Sequence, residues 1–150
     1  MKWVTWEQVG VDRMACAWLI TKYLDPQAEF FFVPAGVTPL PAEAEPFDIP
    51  GARLSHHRGH CTFHTMLRAY DLTDPVLQRI ARVVDEADTV QEVTLEPVSA
   101  GLDVICRGLR LISPNDQVAL ERGKQVYDAL YAQFASEAMP EQRGSTDEGD

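Results

Sequence analysis

The sequence predicts a single α/β domain with a small, mostly parallel sheet, a β-α-β start and a helix-rich C-terminal half. Three patterns carry that expectation. Two short apolar runs, Lys2–Glu7 and Glu29–Val33, bracket a stretch with helical spacing. Pro34, Pro39, Pro41 and Pro46 then interrupt any ladder. Beyond Thr62 nearly every segment has the three-to-four spacing and capping residues of helices. The 150 residues, 45% of them hydrophobic, suit one domain that builds its core without disulfide or metal staples.

Taken in order, Lys2–Glu7 alternates bulky apolar and polar positions and reads as a strand that Gly10 breaks. Over Asp12–Leu24 the apolar set Ala15, Trp18, Leu19 and Tyr23 predicts a helix, with Asp12 placed to cap it and Pro26 to close it. Glu29–Val33 is too short and too aromatic for a helix, so it becomes a second, parallel strand. Phe47–Ile49 and Ala52–Ser55 read as brief strands around a Pro50-Gly51 turn. Thr62 is placed to cap a helix over Phe63–Tyr70, and Thr73-Asp74-Pro75 opens one to about Asp85. Glu96-Pro97 begins another to about Leu111, and Ser113-Pro114-Asn115-Asp116 precedes a long one through Phe134.

Charge narrows the partners. With 13 basic and 23 acidic residues the net charge is −10, which argues against direct nucleic-acid binding and against a polybasic membrane contact. Part of the acidity sits in Glu137, Glu141, Asp147, Glu148 and Asp150. Residues 137–150 are therefore expected to be an acidic disordered tail on a domain spanning 1–136. No run is long enough to span a membrane and the start lacks a leader pattern, so a cytoplasmic location is expected. Cys16, Cys61 and Cys106 are an odd count without C-x-x-C and read as reduced thiols.

Three constellations could carry chemistry. All four histidines fall between residues 56 and 64, in Ser55-His56-His57-Arg58-Gly59-His60-Cys61-Thr62-Phe63-His64, shortly after Phe47-Asp48-Ile49-Pro50-Gly51. Imidazole, thiolate and carboxylate are the usual ligands of first-row divalent metals, and a glycine-containing loop lets several turn inward together. The bland alternative is a polar surface loop. Gly10-Val11-Asp12-Arg13 lies at a strand-to-helix loop, where a helix N-terminus and Arg13 suit an anion; Asp12 either caps the helix or binds a metal. Asp85-Glu86-Ala87-Asp88 ends a helix and reads as a solvated face, its charges opposing the dipole unless a cation offsets them. Cys61, beside a helix start, is the thiol expected to be reactive.

At these motifs the sequence resembles the chromate-resistance protein B family, through its C-terminal ChrB domain. The resemblance runs over residues 2–135: W-V-T-W-E, V-D-R-M-A-C-A-W-L-I, F-D-I-P-G, H-x-x-G-x-C-T-F, E-A-D-T and V-Y-D-A-L-Y-A. It implies an association with chromate resistance or its regulation, and its polar positions here are Asp12, Arg13, Asp48, His56, Cys61 and Asp88. A standalone domain of this kind, lacking the N-terminal region of longer members, is not expected to touch DNA. The motif order is more faintly similar to the DHH metal-dependent phosphoesterases, although Ser55 stands at the Asp of D-H-H. The resulting expectation is a divalent metal, manganese, zinc or iron, held by Asp12, Asp48, His56 and Asp88 at the sheet edge. His57, His60 and Cys61 are additional candidate ligands, and Arg13 is placed to hold an oxyanion. The alternatives are a metal-dependent hydrolase acting on a phosphoester and a non-catalytic oxyanion or redox sensor, in either case with self-association open.

Overall fold

The computed structural model describes residues 1–139. Strands β1 (Lys2–Trp6), β2 (Glu29–Val33) and β3 (Glu45–Pro46) form one parallel sheet in the order β2-β1-β3. Helices α1 (Val11–Leu19), α2 (Thr62–Ala69), α3 (Pro75–Asp88), α4 (Val98–Ile112) and α5 (Asp116–Glu137) supply the rest. The expected α/β class, its β-α-β start and its helix-rich C-terminal half are all present. Residues 140–150 of the expected tail lie outside the described residues, and α5 continues through Glu137.

The central strand departs from alternation. Trp3, Val4 and Thr5 are buried in succession, because β1 pairs on both edges and parallel strands are covered on both faces. The segment that includes the prolines still contributes a strand. Glu45 and Pro46 pair with Trp3 and Val4, and the Phe47 N–H donates to the Val4 carbonyl at 3.0 Å. Proline has no N–H to give a ladder, so β3 is two residues long and lies at the edge. The strands expected at Phe47–Ile49 and Ala52–Ser55 reduce to one bridge, Phe47 with Leu54.

α1 is the hub. Met14 through Leu19 are all buried, and the helix packs against α2, α3 and α5. Its Trp18 ring stacks on Phe63 of α2 at 6.3 Å and meets Tyr127 of α5 at 5.9 Å, while its indole N–H donates to Asp128. The end of the expected helix is a π-helical turn, Ile20–Leu24. The loop between β1 and α1 is fixed from the far end of the chain, since the Asp116 carboxylate accepts the N–H groups of Gln8 and Val9. Asp12 near the start of α1 bonds Thr62 and Phe63 at the start of α2, so these two helix starts meet beside the C-terminal end of β1.

Candidate metal centre

Asp12 is the second residue of α1, not its cap; Gly10, in extended conformation, takes that position. The Asp12 side chain crosses instead to α2. Its Oδ2 accepts the Thr62 N–H at 2.8 Å and its Oδ1 the Phe63 N–H at 3.0 Å, so a buried carboxylate from one helix satisfies the free donors at the start of another. The N-cap of α2 is Cys61 rather than Thr62, and it offers no side-chain bond of its own.

Asp48 sits in a left-handed turn, φ 53°, which a short polar side chain tolerates better than most. Arg13 holds it from two sides. The Arg13 Nε lies 3.2 Å from Asp48 Oδ2, and Nη2 donates to the Asp48 carbonyl at 2.9 Å. Nε also donates to Thr5 Oγ1. The guanidinium expected to hold an oxyanion is thus already engaged in positioning a carboxylate. The Thr62 hydroxyl, a contributor that residue types alone did not single out, donates to Asp48 Oδ1 at 2.6 Å. Its position directly after Cys61 in the H-x-x-G-x-C-T-F motif was the available signal.

The four core candidates converge. His56 Nε2 stands 3.0 Å from Asp12 Oδ2, 3.5 Å from Asp48 Oδ1 and 3.1 Å from Asp88 Oδ2. Ligand atoms of Asp12, Asp48 and His56 all lie within 4.8 Å of one another. Burial, then the Asp12 charge, pushes Asp48 up to about 8. The same two causes raise Asp88 to about 6. The bond to Asp12 raises His56 to about 9 against the cost of its burial. One ring nitrogen carries one proton and can give it to only one of the three carboxylates it faces. A divalent cation can serve all three, and an oxygen-rich set with one imidazole is chemistry that such ions accept.

A cavity of about 430 Å³ opens beside the cluster, lined among others by Trp6, Arg13, Asp48, Ser55, His56 and Asp88. The Trp6 indole N–H is buried there without an acceptor. Ser55 donates to the Ala52 carbonyl and adds no carboxylate to the set.

The additional candidates lie elsewhere. His57 Nε2 is 3.0 Å from the Arg53 carbonyl, and His60 Nδ1 is 2.7 Å from Asp85 Oδ2. His64 stacks on His60 at 3.8 Å. Cys61 is fully buried, its N–H bound to Asp85 Oδ1, and burial pushes its thiol well up. That is the reverse of the reactive thiolate expected from its position near a helix start. The acidic run of α3 is only partly a solvated face: Asp85 is buried, Asp88 is exposed, and each carboxylate has a partner. Asp85 takes His60 and Cys61, Glu86 accepts the N–H groups of Leu95 and Glu96, and Asp88 takes His56.

A family model described as "ChrB, C-terminal domain" matches residues 3–134. Protein ChrB of Cupriavidus metallidurans is 32% identical over 136 residues, covering 90% of this chain and 41% of that one. The chain thus spans about two-fifths of the length of that relative. No solved structure matches. The motifs, their order along the whole fold and these two matches agree: the chain belongs to the ChrB family, through its C-terminal domain.

Proposed function

We propose that this chain is a cytoplasmic, divalent-metal-binding ChrB-domain protein serving chromate resistance or its regulation. Asp12, Asp48 and His56 would hold the ion, with Asp88 closing the set. The observation that carries the reading is the convergence of three carboxylates, from α1, the loop after β3 and the end of α3, on one imidazole nitrogen. Desolvated like charges repel one another, and a bound cation turns that repulsion into ligation. The set is hard and lacks a thiolate, which suits manganese or iron(II) at least as well as zinc. No described helix is long and apolar enough to cross a membrane.

Around the ion the chain's own residues have separate tasks. Arg13 and Thr62 orient Asp48 and the α2 N–H groups orient Asp12, beside the adjoining cavity that Trp6 also lines. That cavity also motivates the hydrolase reading, in which a bound metal would supply an activated water. Reactivity at Cys61 has no such support, because the thiol is buried.

The test is elemental analysis of untagged protein, alongside thermal unfolding with added manganese, zinc or iron for wild type, His56→Ala and Asp48→Asn. Bound metal or metal-dependent stabilisation in wild type, lost in both variants, supports the reading. Metal-free protein that none of the three ions stabilises overturns it. A panel of phosphoesters assayed with each metal decides the hydrolase reading separately.

A further inference from the structure

The histidine loop has a second side. His57 and His60 exchange backbone hydrogen bonds of 3.2 and 3.0 Å, and between them Arg58 and Gly59 take φ values of 52° and 81°. Two consecutive positive φ values make this a type I′ hairpin turn. Gln91 pins it by donating to the Gly59 carbonyl, and His57 is held by the Arg53 carbonyl. The loop thus presents His56 to the carboxylate cluster and its next residues to a separate cavity of about 280 Å³, lined by His57, Arg58, His60, His64, Thr65 and Arg68.

The lining of that cavity is unusual for a chain of net charge −10. It contains two arginines and three histidines and no acidic residue. Among the described residues neither Arg58 nor Arg68 has a carboxylate within ion-pair distance, whereas Arg13, Arg53, Arg79, Arg82 and Arg107 each do. Asp85, buried beneath the cavity, is already committed. One oxygen takes His60 Nδ1 and the other the Cys61 N–H. That bond fixes the His60 ring with Nε2 free, and His64 is stacked against it. Two unpaired guanidiniums beside the His64 imidazole in a concave, preorganised frame form a receptor for negative charge, and they disfavour a second cation.

We infer that this cavity is a binding site for a tetrahedral dianion of the phosphate and sulfate class, held by Arg58 and Arg68 with His64 as a supporting donor. The volume leaves room beyond four oxygens, so the dianion is either free or the end of a monoester. The site is separate from the candidate metal centre and does not depend on it.

Isothermal titration calorimetry on the full chain tests this, at constant ionic strength and with a chelator present so that the metal reading has no bearing on the outcome. Inorganic phosphate, sulfate, chromate and the monoester AMP are titrated in turn. At least one should bind saturably. Arg58→Gln and Arg68→Gln should each weaken it by about tenfold or more, the loss of a charge-assisted hydrogen bond. Arg107→Gln, on the exposed face of α4, should leave it unchanged. Tighter binding of AMP than of phosphate assigns the site to a monoester, and the reverse order assigns it to the free anion. Both arginines are exposed, and circular dichroism verifies that the variants fold. No saturable binding, equal displacement by chloride, or binding unaltered in Arg58→Gln and Arg68→Gln overturns the inference.

Discussion

His56 is the residue on which the candidate centre turns. Its ring nitrogen faces three carboxylates, and its proton is held up to about 9, chiefly by the bond to Asp12. Without a cation the imidazolium is therefore the positive charge that the cluster keeps. A metal must displace that proton and the one that burial keeps on Asp48 up to about 8. Metal binding should release protons, and apparent affinity should rise as pH increases from about 6 to 9. Calorimetry in two buffers of different ionisation enthalpy measures the release; buffer-independent heats at pH 7 would exclude it. The donor types at this centre were legible in the sequence, since only a few residue types ligate hard ions. The partners that aim them were not, because Thr62 on Asp48 and Arg13 on Asp48 join positions 14 and 35 residues apart. No local pattern encodes such a contact.

At the scale of elements, the starts of the helices separate what is local from what is not. Asn115 caps α5 by accepting the Val118 N–H, and Asp74 caps α3 ahead of Pro75; both were readable from neighbouring residues. Asn115→Ala should cost about 1 kcal/mol in urea unfolding. The start of α2 differs, because its cap arrives from α1. Asp12→Ala leaves two buried N–H groups without their acceptor and should cost about 1–3 kcal/mol. Asp12→Asn keeps a carbonyl oxygen and should cost less. If the two variants are equally stable, the cap has no energetic role. The edge strand β3 was illegible for a related reason: prolines announce the absence of N–H donors but say nothing of carbonyls that can still accept. Close packing adds another constraint. A Cβ on Gly123 would meet Met14 Sδ at 2.9 Å and its Cβ at 3.2 Å. Gly123→Val should therefore destabilise the α1–α5 contact by about 1–3 kcal/mol, again read from urea unfolding.

For the whole molecule, the candidate centre ties stability to pH in two opposite senses. Asp48, Asp88 and His56 each have a pKa raised by folding, to about 8, about 6 and about 9 from 3.8, 3.8 and 6.5. Each binds its proton more tightly in the native state, so its contribution is complete below the unfolded value and lost as pH rises through the folded one. With a chelator present, stability should fall from about pH 4 to 9, most of the loss from Asp48 and His56 coming above pH 6. A bound divalent cation inverts the sign. It holds the same groups deprotonated in the native state, so below about pH 6.5 the unfolded chain becomes the better proton binder and stability rises with pH, and above it, where the unfolded chain has also lost these protons, stability levels off instead of falling. At a cation concentration 100 times Kd the stabilisation is about 2.7 kcal/mol, growing with pH as affinity does. Melting temperatures at pH 6, 7, 8 and 9, with chelator and with manganese, should therefore diverge as pH rises. Parallel curves would mean that the carboxylates and His56 do not meet the ion together. A net charge of −10 spread evenly over the surface would make no such distinction, because screening by the added salt would raise every point alike.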